Sequence, residues 1–231
     1  MNAVTVRWLG QRDYLETWHA MQRFTDIRTP ETEDEIWLLE HPPVYTVGVR
    51  GNHRKKPEEL QSGSPHTNIP LVRTDRGGLI TYHGPGQLIA YTLMDLARRN
   101  MSVRDLVSAL ENATIALLKQ YGIIAQARRD APGVYVEGAK IASLGLRVRK
   151  FRSYHGLSLN VDMDLTPFQA IDPCGLKDLP VTRLTDLGAL VKVHEVAVPL
   201  LGCLMSELHI DTLSSNLGQL PDAEPTHDQP A

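Results

Sequence analysis

The sequence predicts an α/β fold of the α+β kind, a mixed β-sheet with helices packed against it. Three observations carry that expectation. Period-two alternation recurs in short runs through the middle of the chain, one long segment beginning at Ser102 shows helical periodicity instead, and neither an internal repeat nor a linker divides the 231 residues. A chain of that length can bury a self-sufficient core as one unit. A single domain over residues 1–213 is therefore expected, with a flexible tail over 214–231, where the composition turns polar and proline-bearing.

The elements follow in order. Val4 to Leu9 alternates as a strand, and Tyr14, Leu15, Trp18 and Met21 come next at helical spacing. Glu35 to Glu40 and Val44 to Gly48 are strand-like runs parted by His41-Pro42-Pro43, whose prolines impose an extended or turning backbone. Arg50 to Pro70 has no periodicity and the length of a functional loop. Leu71 to Thr74 and Leu79 to His83 bracket Arg76-Gly77-Gly78, and Gln87 to Met94 follows the turn Gly84-Pro85-Gly86.

Ser102 opens the clearest helix. With Asp105 it resembles a capping box, Val103, Leu106, Val107, Leu110, Leu117, Leu118 and Tyr121 form one apolar stripe, and Gly122 supplies the stop. Gly133 to Glu137 and Lys140 to Arg149 read as a hairpin turned at Gly138-Ala139, and His155 to Val161 alternates again. A last helical pattern spans about His194 to His209 despite Pro199.

Composition excludes several classes. Formal net charge is −3 with a pI near 6.3, so the basic field that holds nucleic acid through its phosphates is missing. No apolar run approaches the roughly 20 residues needed to cross a bilayer, and Met1 to Gly10 lacks a basic stretch followed by an apolar one. A cytoplasmic protein with no membrane or nucleic-acid partner is expected, and a monomer. Two cysteines, Cys174 and Cys203, read as reduced thiols rather than a disulfide framework. Neither cysteines nor histidines show zinc-finger or His-Glu-x-x-His spacing, so no metal is expected.

Four segments carry chemistry. In Arg76 to Gln87, glycines flank a short strand ending in Thr81, Tyr82 and His83, and such glycines let backbone approach a ligand. Tight turns would use the same residues, but an arginine and a histidine beside them favour a site. Cys174 sits between Pro173 and Gly175 in a stretch without periodicity, where a thiol can be exposed; Cys203 lies in an apolar helical run and reads as inert. An ordinary thiol is only about 3% ionised at pH 7, so a nucleophilic Cys174 needs a cation or base nearby. Lys140, opening the otherwise apolar strand Ile141 to Gly145, is the candidate partner. His83 and His155 lie on strands beside glycine and are candidates for polarising or relaying a proton. The basic run Arg147, Arg149, Lys150 and Arg152, with Arg128 and Arg129, offers a docking edge for an acidic partner.

Together these segments resemble the lipoyl(octanoyl) transferase family. The resemblance rests on Arg76-Gly77-Gly78-x-x-Thr81-Tyr82-His83-x-x-Gly86-Gln87-x-Ile89-x-Tyr91, on Lys140 to Gly145, on His155-Gly156-Leu157-Ser158-Leu159-Asn160 and on Pro173-Cys174-Gly175, in that order. It implies the fold of biotin and lipoate ligase catalytic domains. It also implies transfer of octanoyl from acyl carrier protein to a lysine of lipoyl domains in 2-oxoacid dehydrogenases or glycine cleavage protein, without a cofactor. By the same resemblance Cys174 is the nucleophile and Lys140 lowers its pKa. The substrate pocket maps to Arg76, Gly77, Gly78, Leu79, Ile80, Thr81, Tyr82 and His83, to Ser143, Leu144 and Gly145, and to Gly156, Leu157 and Ser158. Backbone amides of Gly77, Gly78 and Gly145 are expected to face a developing oxyanion, and Leu79, Leu144 and Leu157 to line the acyl slot.

Overall fold

A computed structural model describes residues 3–51, 68–171, 179–217 and 220–221. Strand β1 (Ala3–Gln11) leads into helix α1 (Tyr14–Ile27), started by Asp13, whose side chain accepts from the Glu16 N–H at 3.0 Å. Strands β2 (Asp34–Glu40) and β3 (Val44–Val47) follow, then β4 (Leu71–Arg73), β5 (Ile80–His83) and β6 (Gln87–Leu93). Helix α2 (Val103–Gln120) carries the expected capping box, with Ser102 and Asp105 exchanging two hydrogen bonds. Strands β7 (Gln126–Ala127), β8 (Gly133–Val136), β9 (Ala139–Arg149) and β10 (Arg152–Asn160) precede helix α3 (Val193–Glu207) and strand β11 (Thr212–Leu217).

Two sheets result. The larger runs β11-β1-β2-β6-β10-β9-β8-β7, parallel around β1 and antiparallel elsewhere; the smaller runs β4-β3-β5. Period-two geometry divides the central strands between two cores. Ile36, Leu38, Leu88 and Ala90 meet Leu106 and Leu110 of α2 and Val196 and Leu200 of α3, whereas Trp37, Leu39, Ile89 and Tyr91 meet Met21 and Phe24 of α1. Because both faces are covered, β6 is buried along its whole length, which explains a run of apolar residues where a one-sided strand would alternate. The smaller sheet has its own cluster, in which Tyr45, Val47 and Tyr82 pack on Met163, Phe168 and Ile171.

Several boundaries differ from the sequence expectation. The hairpin turns at Glu137-Gly138, one residue early, with φ of 49° and 84°, the double positive φ of a two-residue type I′ turn. Strand β10 begins three residues before His155 because His155 itself interrupts the alternation with φ of 62°. Ser214 to Leu217, expected in the flexible tail, instead form the end of β11 and pair in parallel with β1. Their polar sequence suits an edge strand with Ser214 and Ser215 exposed. Most of the loop over 50–70 and most of the tail lie outside the described residues. No helix among the described residues is long and apolar enough to cross a membrane.

One buried charge cluster ties α1, β2 and the segment before α2 together. Asp34 accepts from Arg28, 2.6 Å away, and from Arg98 and Arg99. Arg28 is fully buried, so losing its counter-charge leaves an unpaired ion in the interior; Asp34→Ala is expected to cost about 3–5 kcal/mol of stability. Arg98 is 36% exposed, and Arg98→Ala is expected to cost about 1 kcal/mol or less. Urea unfolding of the two variants measures the contrast.

Candidate active site

The site forms where β8 ends. Strand β8 pairs with β9 only as far as Gly133 opposite Ser143, leaving the edge of β9 open from Leu144 onward. The Arg76-Gly77-Gly78 turn occupies that edge, the Gly77 N–H donating to the Leu146 carbonyl at 2.9 Å. A Cβ on Gly145 would lie 3.2 Å from both the Arg76 Cδ and the Gly77 carbonyl oxygen, so glycine is what lets the turn lie flat on the strand. Gly156 faces Gly145 across the ladder, and a Cβ there would sit 2.0 Å from the Ala90 carbonyl oxygen. Ser158 faces Ser143 in the same way, and Ile89 and Tyr91 are the partners on β6. This strip of missing side chains leaves a cavity of about 260 Å³ between the sheets, below the roughly 300–1,000 Å³ of pockets for drug-sized ligands.

Of the expected pocket residues, Arg76 to Thr81, His83, Ser143 to Gly145 and Gly156 to Ser158 border the cavity. Tyr82 does not: strand alternation turns its ring away, against Tyr45 and Phe168, each 5.6 Å between centroids. Leu79, Leu144 and Leu157 border the cavity together with Ile89 and Tyr91, and Leu157 also belongs to the core under α2, with Leu144 packed against it. The Gly77 N–H is engaged by Leu146 and is not available to an oxyanion. Arg76 directs its guanidinium at the Thr46 hydroxyl (3.0 and 2.8 Å), the Thr46 carbonyl and its neighbour's carbonyl, and so braces the turn.

One end of the cavity is a box of buried rings whose tautomers follow from their partners. Asn160 Nδ2 donates to the Thr182 carbonyl, so Asn160 Oδ1 accepts from Gln87 Nε2, and Gln87 Oε1 accepts in turn from His83 Nδ1 at 2.8 Å. His83 Nε2 is left as an acceptor. His41 Nδ1 donates to the Arg12 carbonyl at 2.7 Å, so His41 Nε2 accepts from the Tyr91 hydroxyl at 2.8 Å. Burial pushes His41 down to about 4 and His83 well below the ordinary histidine value. His155 would face α2 under strict alternation; its positive φ brings its ring against Tyr154 and Tyr91 instead. That backbone costs about 1–3 kcal/mol, and Asp75 holds it by accepting from His155 Nε2 at 3.1 Å.

Asp75 also accepts from Tyr154 and from Trp18. Burial works against its charge, yet the bonds from His155 and Tyr154 outweigh burial and hold the carboxyl well below the usual range. His155 is itself lowered, because burial outweighs the attraction of Asp75.

Lys140 stands at the other end, five residues and about 17 Å from Gly145 along β9 at roughly 3.4 Å per residue. It is 2% exposed, with Nζ 3.3 Å from the Pro132 carbonyl and 5.2 Å from the Tyr135 ring centroid. Glu111 of α2 accepts from the Gly133 N–H at 2.9 Å beside it; burial raises the Glu111 carboxyl, with Gly133 and Lys140 opposing. Cys174 lies outside the described residues. The chain that follows it is held against Lys140, whose N–H donates to the Pro180 carbonyl and whose carbonyl accepts from Thr182. Cys203 is buried in the core between α2 and α3, as expected.

Sequence reasoning missed Tyr14, His41, Asp75, Tyr91 and Glu111. Asp75 and Tyr91 lie beside or within the motif already singled out, so they were within reach. His41 reads as part of a proline turn, and Tyr14 and Glu111 read as ordinary helix positions.

Residues 13–204 match the sequence profile of the lipoyl protein ligase A/B catalytic domain. An octanoyltransferase of Methylococcus capsulatus is 57% identical over 206 residues, 89% of this chain and 96% of that protein. One from Pseudomonas syringae pv. tomato is 54% identical over 207 residues, 90% of this chain and 92% of that protein. Among solved structures, lipoate-protein ligase A bound with ATP superposes with a TM-score of 0.74 at 16% identity, covering 92% of this chain and 88% of that one. A biotin protein ligase from Aquifex aeolicus in complex with biotin and ATP gives 0.54 at 15% identity, covering 89% and 70%. The expected fold of lipoate and biotin ligase catalytic domains is therefore the one observed.

The three depressed histidines make stability depend on pH. Each is neutral in the folded protein while its unfolded counterpart takes up a proton below about pH 6.5, so the stability present above that pH is lost on acidification. For His41, held at about 4, the unfolding free energy is expected to fall between about pH 6.5 and 4.5 by as much as about 1.4 kcal/mol per pH unit, and His83 and His155 add losses of the same sign below about pH 6.5. Asp75, lowered instead, adds its loss only below about pH 4. Urea titrations at pH 7.5 and 5.5 measure the slope, and His83→Gln is expected to remove about one histidine's share.

Proposed function

We propose, because the chain belongs to the lipoyl protein ligase A/B catalytic domain family, that it is an acyltransferase moving octanoyl from acyl carrier protein to a lysine of lipoyl domains. The Cys174 thiolate attacks the donor thioester carbonyl, a new C–S bond forms, and the carrier's thiol leaves and takes up a proton. The acceptor lysine amine then attacks the enzyme thioester, forming the amide and returning the thiol. Thioester exchange is nearly isoenergetic and aminolysis is downhill, so neither step needs ATP.

The observation that carries this reading is a lysine buried at one end of a small cavity, with the chain that follows Cys174 hydrogen-bonded to its backbone. A cation in so dry a place favours a thiolate nearby far more than one in water would. The identity to octanoyltransferases over nearly nine-tenths of the chain supports the same reaction. Arg147, Arg149 and Lys150 stay exposed on the adjoining hairpin, where an acidic carrier protein would meet them.

Incubation with octanoyl carrier protein in the absence of ATP is expected to add one octanoyl mass to the intact protein. Cys174→Ala is expected to abolish the adduct; a label that persists there removes Cys174 from the mechanism. Lys140→Ala is expected to move the pH profile of thiol alkylation upward by about one unit or more, and an unmoved profile removes Lys140. Octanoyl-lysine formed on a purified lipoyl domain separates an enzyme from a module that only holds the carrier, and a strict need for ATP would point to a ligase.

A further inference from the structure

The ring box at the far end of the cavity holds two hydroxyls without a partner among the described residues, Tyr14 and Thr81. Both side chains border the cavity; Tyr14 is 3% exposed and Thr81 9%. Tyr14 is stacked on His83, centroids 5.9 Å apart, and set edge-on to His41 at 5.2 Å, so its ring is held in place. Thr74 lies near the Tyr14 hydroxyl, but the two do not meet in hydrogen-bond geometry. Thr81 faces Thr46 across the ladder, and the Thr46 oxygen is taken by Arg76. Buried hydroxyls are normally hydrogen-bonded, and a native protein that leaves two in one cavity implies that something else completes them.

We propose that this end of the cavity is a subsite for a neutral hydroxyl-type group carried at the distal end of a medium-chain acyl substrate, a deepening that rests on the acyl-transfer reading above. The polar groups present select that chemistry. Tyr14 and Thr81 supply donors. The Tyr91 oxygen, whose proton goes to His41, supplies an acceptor, and His83 Nε2, held among the described residues by nothing closer than the Thr46 hydroxyl at 3.4 Å, supplies a second if that long bond gives way. A hydroxyl uses both kinds. A carboxylate finds no suitable cation, because the Arg76 guanidinium is turned onto Thr46 and the Gly77 carbonyl. An amine finds no suitable anion, because Asp75 already accepts from Trp18, Gln22, Tyr154 and His155.

The test compares acyl groups of matched size on the carrier protein: 8-hydroxyoctanoyl against nonanoyl, with octanoyl as the reference for transfer itself. A hydrogen bond of ordinary strength is worth up to about tenfold in such a ratio. Wild-type protein is expected to favour 8-hydroxyoctanoyl over nonanoyl in kcat/KM by about tenfold. Tyr14→Phe and Thr81→Val, each of which removes one donor with little change in volume, are each expected to shift the ratio toward nonanoyl by about threefold to tenfold. Suberoyl, with a distal carboxylate, is expected to be the poorest. If octanoyl is transferred but the wild type favours nonanoyl, or the ratio is unmoved in both variants, the subsite is overturned while the acyl-transfer reading stands. If octanoyl itself is not transferred, both fall.

Discussion

The site depends on one close approach: the Arg76-Gly77-Gly78 turn lying on β9 at Gly145. The hydrogen bond from Gly77 to Leu146 is an ordinary one, yet it replaces the strand that β9 would otherwise need at its open edge. Any side chain at Gly145 would press on the Arg76 stem and the Gly77 carbonyl at 3.2 Å. Arg76 then reaches past the turn to Thr46 on β3 and so joins the small sheet to the large one. A cavity between two sheets survives only if the sheets are held apart as firmly as they are held together. Here braces at the turn do the holding, and missing side chains at Gly145 and Gly156 do the parting.

A second consequence concerns the polar chain running through this junction. Thr182, Asn160, Gln87 and His83 are linked donor to acceptor, each bond setting the direction of the next. Thr182 is also the residue whose N–H meets the Lys140 carbonyl. The chain leaving the Cys174 segment is thereby tied both to Lys140 and, through three side chains, to the ring box. Such a network is unforgiving, because removing one member leaves two buried groups without partners. It gives a physical reason for pairing His83 and Gln87 of one motif with Asn160 of another, 73 residues further along the sequence from Gln87.

What the sequence made legible follows the same division. The Ser102 helix, the alternating strands and the glycine turns were readable because local physics determines them, and thirteen of the fourteen expected pocket positions border the cavity, Tyr82 alone being turned away by strand alternation. Strands β7 and β11 were not readable, being an edge pair of two residues and a polar edge strand whose pairing with β1 joins opposite ends of the chain. The inward swing of His155 was equally hidden, since a positive φ at a histidine is imposed by Asp75 and the packed rings around it. Tyr14 and His41 enter the site only because α1 and the end of β2 converge there, a tertiary fact with no local signature.

The two ends of the cavity therefore differ in electrical character. At one end Lys140 brings a cation into the interior, with Glu111 close by. At the other, His41, His83 and His155 are all depressed by burial and stay neutral at physiological pH. Burial lowers all three, so each accepts a proton less readily than a free imidazole does, and His155 lies beside Leu146, six residues and about 20 Å along β9 from Lys140. That separation and that weakened basicity weigh against passing a proton between His155 and Lys140, a question the sequence left open. The neutrality of His83 and His155 suits them to the wall of a closed cavity, where a charge would demand water to solvate it, and His41 backs that wall through its bond to Tyr91.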